Sequence, residues 1–214
     1  MSMRVAVFGA TGKIGRLAVE QLLRDGYDVV AFVRSPAKLG LSDPHLAVVV
    51  GELSDTEALS SAICGTDAVI SALGPSLARG ASGTPVTDGT RAIVEAMAAT
   101  GVTRYVGLAT PSVPDARDEP TLKAKVLPVL AHAMFPNALT ELVDMTAAVT
   151  ESDLDWTIAR ITQPTDKPAK GTLRAGFLGS DKVGSAMTRA DIAAFLVGQL
   201  TSTDYLRALP AISN

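Results

Sequence analysis

Apolar residues fall into short, unbroken runs along the chain, and most of these runs are followed by glycine or polar residues and then by helically spaced apolar residues. Unbroken apolar runs are typical of strands that are buried on both faces of a parallel sheet. The predicted strands cover residues 5–8, 29–33, 47–50, 68–74, 105–110 and 154–159. Because helical segments separate them, the pattern predicts an α/β fold with a Rossmann-like, doubly wound parallel sheet.

The C-terminal part of the chain has frequent glycines and prolines, and short strands are predicted near Leu173 and Phe177. We expect the chain to form a single domain, 1–214, in which residues 164–187 make a small C-terminal substrate lobe. Thr188 is predicted to cap the last helix, with Asp191 three residues later as a structural partner in a capping box.

Three glycines, Gly9, Gly12 and Gly15, follow the first predicted strand and open the first helix. Gly9 permits a sharp turn, Gly12 leaves the backbone open to a pyrophosphate, and Gly15 lets the helix pack closely on the sheet. The first helical N–H groups would face the phosphates, with the positive end of the helix dipole behind them. The spacing is GxxGxxG rather than GxGxxG, and a purely structural turn is the alternative. With a strand before it and a helix after it, the motif predicts dinucleotide binding.

Two basic residues, Arg34 and Lys38, follow the second predicted strand, and no acidic residue accompanies them. An acidic residue here would bond the ribose 2′-hydroxyl of NAD, whereas arginine accommodates the 2′-phosphate of NADP. The position therefore favours NADP(H), and two solvated surface cations are the alternative. Glu52, after the third strand, could accept a hydrogen bond from the adenine amino group, and an exposed loop carboxylate is an equally good interpretation.

The predicted reaction edge of the sheet includes Thr110, because ligands of doubly wound sheets bind beyond the carboxyl ends of the strands. A loop rich in glycine, serine and alanine, residues 75–85, is predicted beside this edge. A helix over residues 122–135 carries His132 among apolar neighbours. A lone histidine in such a segment is more often a packed or surface residue than a catalyst.

Composition narrows the class of protein. With 214 residues, 47% of them hydrophobic and 19% charged, the chain can bury a substantial core. Its net charge of −3 argues against a general binder of nucleic acid or anionic membranes. No apolar run approaches the roughly 20 residues of a membrane span, and the early first strand leaves no room for a signal peptide, which predicts a cytoplasmic protein. The single cysteine, Cys64, excludes an internal disulfide and is expected to be a small buried residue.

Several motifs resemble those of the atypical short-chain dehydrogenase/reductases: GATGKIG at 9–15, LDWT at 154–157 and TRADIA at 188–193. The run from 51–53 to 73–74 is most similar to the biliverdin-IX-beta reductase and flavin reductase branch, and the resemblance covers nearly the whole chain. It implies NADP(H) binding: the pyrophosphate on Gly9, Thr11, Gly12, Lys13 and Ile14, the 2′-phosphate on Arg34 and Lys38, the adenine on Glu52 and Leu53, and the adenosine ribose and diphosphate on Leu73 and Gly74.

The resemblance also implies two residues beside the nicotinamide. Thr110 matches a serine of that branch, and Gln163 matches a histidine. Threonine keeps a hydroxyl, whereas glutamine can hydrogen-bond but cannot supply a proton at neutral pH. Ordinary members of the family use a tyrosine followed four residues later by lysine for proton transfer. Tyr27, Tyr105 and Tyr205 have no lysine at that spacing, so alcohol oxidation or sugar epimerisation by that mechanism is not expected.

The function that fits these residues is an NADPH-dependent reductase of a flat conjugated acceptor, such as a flavin, a quinone or a tetrapyrrole. Such acceptors take hydride without a strong protein acid, so Thr110 and Gln163 need only orient them. His132, Met134 and Phe135 are candidates for an apolar wall, or simply core residues. The alternative is a non-catalytic NADP(H)-sensing regulatory protein, like the nitrogen-metabolite-repression regulators. The acceptor, the role of any flavin and the oligomeric state stay open.

Overall fold

Strands and helices alternate in a computed structural model that describes residues 2–78, 82–119 and 135–214. The helices are α1 (Lys13–Arg24), α2 (Thr56–Ile63), α3 (Pro85–Thr100), α4 (Pro136–Thr150) and α5 (Arg189–Gly198). The strands are β1 (Arg4–Phe8), β2 (Asp28–Val33), β3 (Leu46–Val50), β4 (Ala68–Ser71), β5 (Arg104–Ala109), β6 (Asp155–Ile161), β7 (Gln163–Thr165), β8 (Arg174–Gly176), β9 (Ala186–Thr188) and β10 (Ala211–Ser213). No helix in the described part of the chain is both long and apolar enough to cross a membrane.

The main sheet has eight strands in the order β3-β2-β1-β4-β5-β6-β10-β8. Its strands are parallel except for β8, which runs antiparallel to β10. The chain winds outward from β1 to β3 and returns to β4 on the other side of β1, which is the switch point of a doubly wound fold. This confirms the predicted Rossmann-like α/β fold.

The far edge of the sheet differs from a purely parallel arrangement. β10 was not predicted, and it lies between β6 and β8. With only three residues, β10 offers too few positions for an apolar run to be recognised, whereas β8 lies where a short strand was predicted near Leu173 and Phe177. β7 and β9 stand apart from the main sheet and pair with each other in parallel. The chain between residues 164 and 187 thus contributes to both sheets.

Helices cover both faces of the sheet around β1, which explains the unbroken apolar runs of β2 and β4. The expectation of burial on both faces was wrong for β3, because this edge strand is largely exposed. Val5 and Val7 of β1 pack with α1 and α5 in one core cluster. Ala6 and Phe8 point the other way and pack with α2, α3 and α4 in a second cluster. All four of these β1 residues are completely buried, so only the first position of the strand, the exposed Arg4, carries a polar side chain.

The start of α5 confirms the predicted cap. The backbone N–H of Asp191 donates to the Thr188 hydroxyl at 3.1 Å. The Asp191 carboxylate also accepts from the backbone N–H groups of Lys170 and Gly171, at 2.8 and 3.0 Å. Asp191 is therefore structural, as expected, because it joins the helix start to a loop about twenty residues earlier in the chain.

The expectation for Cys64 was wrong, because its side chain is exposed. The buried face of α2 is formed by Leu59, Ala62 and Ile63. Cys64 follows the last helical residue and only caps the helix, its N–H donating to the Ser60 carbonyl at 2.9 Å. Because α2 ends at Ile63, Cys64 does not lie on the buried face of the helix.

The one histidine in the described residues offers a test of pH dependence. Nδ1 of His45 lies 2.8 Å from Oδ1 of Asp28, and this hydrogen bond raises the pKa of His45 above its ordinary 6.5. The pairing of protonated His45 with Asp28 therefore stabilises the fold. This contribution is fully present below about pH 6.5 and disappears as the pH rises through the raised pKa of His45. We expect Asp28→Asn to lower the pKa of His45, measured by NMR titration, and to destabilise the protein more at pH ~5.5 than at pH ~8. A pKa that Asp28→Asn leaves unchanged would contradict the pairing.

Candidate functional site

The glycine turn after β1 has the backbone geometry expected of Gly9 and Gly15. Gly9 has a φ of +73°, a left-handed conformation that glycine adopts without strain. A Cβ on Gly15 would overlap the Gly9 carbonyl oxygen and lie 2.8 Å from its carbonyl carbon. A Cβ on Gly9 would lie 2.8 Å from the carbonyl oxygen of Ala72, just beyond β4. The turn is therefore wedged between α1 and the end of β4, and only glycine fits at either position.

The N-terminus of α1 is open to a negatively charged ligand. Gly12 is the N-cap, and it makes no side-chain capping hydrogen bond. The first turn of the helix has no acidic residue. Thr11, Gly12 and Lys13 are exposed, while Ile14 is half-buried. Uncapped N–H groups and the positive end of a helix dipole suit a phosphate.

The chain after β4 lies across from this turn. The N–H of Ala72 donates to the Phe8 carbonyl at 2.9 Å, which fixes the end of β4 beside the end of β1. Leu73 is half-buried and packs against the core, and Gly74 is exposed. Residues 79–81 of the predicted loop lie outside the described residues. Leu73 and Gly74 thus border the crevice at the switch point, where doubly wound sheets bind ligands.

Arg34 and Lys38 lie beyond the end of β2, the strand next to β1. Both side chains are exposed, and neither forms an ion pair with a described carboxylate. Lys38 ends a single turn of 3-10 helix that begins at Pro36. Two unpaired cations at this edge are available to an anionic ligand. Their contact with a 2′-phosphate stays a prediction.

The two candidate adenine residues have different surroundings. Glu52 is exposed just after β3. Leu53 is half-buried and packs closely on α3, where a Cβ on Gly89 would lie 2.7 Å from the Leu53 side chain. Packing thus uses one side of Leu53, whereas the Glu52 carboxylate faces solvent. Contact of either residue with adenine stays a prediction.

Thr110 and Gln163 follow neighbouring parallel strands, β5 and β6, at the same edge. Thr110 is half-buried and accepts a hydrogen bond from the Val113 N–H at 3.0 Å through its carbonyl oxygen. Gln163 begins β7, and its side chain is exposed. Phe135 is exposed at the start of α4. The other candidate wall residues, His132 and Met134, lie outside the described part of the chain.

None of the three tyrosines lies where it could donate a proton at this edge. Tyr27 precedes β2 and therefore lies at the opposite edge of the sheet. Tyr105 is 1% exposed within β5, and burial raises its pKa to about 12. Tyr205 donates its hydroxyl proton to the Ala175 carbonyl at 3.2 Å, and burial, followed by the charge of Asp181, raises its pKa. The expected absence of a Tyr-Lys pair follows from the sequence, and these positions leave no substitute phenol.

The structure also shows an ion pair that sequence reasoning missed. Arg160 of β6 is completely buried, and its two terminal nitrogens donate to Asp118 at 2.5 and 2.7 Å. It also donates to the Val113 carbonyl at 3.2 Å. Burial acts to raise the pKa of Asp118, but the hydrogen bonds from Arg160, Asp115 and Leu178 outweigh it and hold this pKa below its ordinary value. The pair anchors the loop that follows Thr110. In the sequence, the one sign of a buried ion pair was an arginine at the end of a predicted strand.

A family model described as NAD(P)H-binding matches residues 9–203. The chain belongs to this NAD(P)H-binding family. The protein is 33% identical over 120 residues to a 3-beta-hydroxysteroid dehydrogenase of Mycolicibacterium neoaurum. The aligned residues make up 51% of this chain and 32% of that relative. The chain spans about a third or less of the curated relatives it matches first.

Solved structures share the fold of this NAD(P)H-binding protein over its whole length. A short-chain dehydrogenase/reductase from Veillonella parvula in complex with NADP has a TM-score of 0.79 at 16% identity, covering 100% of this chain and 95% of that one. ChuY, an anaerobilin reductase from Escherichia coli O157:H7, has a TM-score of 0.74 at 20% identity, covering 99% and 97%. At these identities the likeness concerns the fold.

Proposed function

We propose that this NAD(P)H-binding protein is an NADPH-dependent reductase, in the cytoplasm, of a flat conjugated acceptor: a flavin, a quinone or a tetrapyrrole. The observation that carries the proposal is the make-up of the reaction edge. It offers a hydroxyl from Thr110 and an amide from Gln163, while all three tyrosines lie elsewhere or are engaged. Such an edge suits acceptors that stabilise the added electrons themselves and need orientation more than a protein acid.

Residues of the chain would contact the pyrophosphate, the 2′-phosphate and the adenosine ribose of NADPH, which would supply the hydride when bound. The turn from Gly9 to Ile14 would hold the pyrophosphate through its backbone N–H groups, except that of Gly12, which donates to the Gly9 carbonyl at 2.9 Å. The exposed and unpaired Arg34 and Lys38 would bind the 2′-phosphate, which an arginine fork matches well. Leu73 and Gly74 would border the adenosine ribose and the diphosphate across the crevice.

Thr110 and Gln163 would act on the acceptor by orientation. The Thr110 hydroxyl can donate one hydrogen bond, and the Gln163 amide can both donate and accept. Neither group releases a proton at neutral pH, so solvent supplies the proton. The exposed position of Gln163 is compatible with this route. The reductase activity of ChuY, whose fold covers 99% of this chain, adds support.

Arg34→Ala tests the choice of NADP over NAD. We expect the unaltered protein to bind NADPH more tightly than NADH, and the substitution to weaken NADPH binding by about 10- to 100-fold, since hydrogen bonds to charged groups contribute about 1.5–3 kcal/mol. NADH affinity should hardly change. Titration calorimetry with both nucleotides measures the preference. Arg24→Ala is a matched control, because Arg24 ends α1 at the opposite edge of the sheet. Equal affinities of the unaltered protein for NADPH and NADH would contradict the 2′-phosphate site.

The reductase itself is tested with a small panel of acceptors: FMN, riboflavin, a benzoquinone and biliverdin. Oxidation of NADPH is followed by the loss of its nicotinamide absorbance, and NADPH binding is measured on the same sample. Turnover with any acceptor supports the reductase. Tight binding without turnover favours the alternative, a non-catalytic NADP(H)-sensing regulator, for which an edge that no tyrosine serves as proton donor is equally suitable.

A further inference from the structure

One exposed carboxylate, that of Asp166, lies between two cations at the glycine turn. Its Oδ2 atom is 2.8 Å from Nζ of Lys13, and its Oδ1 atom is 2.6 Å from Nη1 of Arg189. Lys13 is the first residue of α1 and Arg189 is the first residue of α5. The carboxylate therefore connects the starts of two helices, one of which carries the expected pyrophosphate site.

Asp166 belongs to the acceptor side of the molecule. It directly follows β7, the strand that begins with Gln163. β7 pairs with β9, and the last register pair, Thr165 with Thr188, places Asp166 and Arg189 side by side where the two strands end. The ion pair between Lys13 and Asp166, which are 153 residues apart in the sequence, thus joins the glycine turn to the strand that begins with Gln163.

The two ion pairs differ in their access to solvent. The Lys13 and Asp166 side chains are 69% and 63% exposed, whereas Arg189 is 20% exposed. An exposed ion pair such as that of Lys13 and Asp166 contributes little free energy, equivalent to a change of only about two- to fivefold in an equilibrium constant. A pyrophosphate carries more negative charge than one carboxylate, and it would attract Lys13 more strongly from the N-terminus of α1. Of the two cations, Lys13 is the one that can change partners.

The Asp166 carboxylate is charged when a cofactor arrives. The hydrogen bond from Lys13, together with the charge of Arg189, holds the pKa of Asp166 below its ordinary value. Asp166 therefore competes as an anion for Lys13 throughout the neutral pH range.

We propose that Asp166 is a positioning residue that competes with the cofactor's phosphates for Lys13 and so weakens NADPH binding from the acceptor side of the site. The inference rests on the proposed NADPH site. It assigns Lys13 two alternative partners: Asp166 in the free protein and the pyrophosphate in the complex. Arg189 keeps Asp166 in place after Lys13 has moved to the phosphate.

A double-mutant cycle tests the competition, with NADPH titrated calorimetrically into the unaltered protein, Asp166→Asn, Lys13→Met and the double variant. We expect Asp166→Asn to tighten NADPH binding by about two- to fivefold. In the Lys13→Met background the same substitution should give a clearly smaller gain, since no lysine remains to be released. Glu20→Gln is the matched control. It removes a carboxylate that pairs with Arg16 on the same helix, and it should leave the affinity unchanged.

Each other outcome overturns the proposal. An equal gain from Asp166→Asn with and without Lys13 would mean that the carboxylate acts only by its charge at a distance. Unchanged or weaker binding by Asp166→Asn would mean that Asp166 does not compete, or that it holds Lys13 ready for the phosphate. Absence of NADPH binding by the unaltered protein would overturn the proposed function itself, and the inference with it.

Discussion

Replacing Gly15 with alanine is expected to cause the largest loss of cofactor binding of any single methyl group added to this protein. The new Cβ would overlap the Gly9 carbonyl oxygen. This oxygen belongs to the backbone of a turn that packs against Ala72, so it cannot move aside as a side chain could. The start of α1 must therefore move away from β1, and its N–H groups would move away from the proposed phosphate position. We expect NADPH affinity to fall by at least about tenfold, and the free energy of unfolding to fall by about 1–3 kcal/mol.

Gly198→Ala is the matched control for this prediction. Gly198 is also helical, at the end of α5, and a Cβ there meets no described atom within 4 Å. Alanine should leave NADPH affinity unchanged and could stabilise the helix by up to about 1 kcal/mol. Calorimetry and denaturant unfolding measure both variants. Native affinity in Gly15→Ala would show that the helix start does not position the phosphates.

Asp118→Ala is expected to cause the largest loss of stability. It leaves the completely buried Arg160 without its carboxylate, and it removes the acceptor of the Asp115 and Leu178 N–H groups, at 2.9 and 2.8 Å. Breaking a buried ion pair on one side costs about 3–5 kcal/mol, a large part of the roughly 5–15 kcal/mol that stabilises a domain. Urea unfolding measures the loss.

Two further variants separate the cause of this loss. Glu20→Ala breaks an exposed pair with Arg16, and it should cost less than about 1 kcal/mol. The double variant Asp118→Leu with Arg160→Met replaces the buried charges with apolar groups of similar size, and it should recover much of the stability that Asp118→Ala loses. If Asp118→Ala costs no more than Glu20→Ala, the buried pair does not hold the loop.

The features that could be predicted from the sequence are those whose physical cause is local. The positive φ of Gly9 and the tight fit of Gly15 depend on a turn of seven residues, and the residue types report it directly. The strands next to β1 could be predicted because burial on two faces removes polar residues from each strand in turn. The cap at Thr188 depends on two residues only three positions apart.

The features that could not be predicted depend on residues distant in the chain. Arg160 and Asp118 are 42 residues apart, and Lys13 and Asp166 are 153 apart. The residues next to Asp118 or Asp166 in the sequence do not indicate which cation each carboxylate binds. Cys64 failed for a related reason, since its exposure depends on where α2 ends rather than on its own polarity. The assignment of single residues to cofactor or acceptor stays a prediction from position.

The place of β10 between β6 and β8 has a consequence for protein synthesis. The strands from β1 to β6 can assemble as the nascent chain leaves the ribosome, because each finds its sheet neighbour among strands already made. β8 emerges before β10, its only neighbour in the described sheet, and must wait for residues 211–213. Until then β6 presents an open edge, the kind of surface on which nascent chains associate wrongly. Once residues 211–213 have left the ribosome, β10 pairs with both β6 and β8 and covers the open edge of β6.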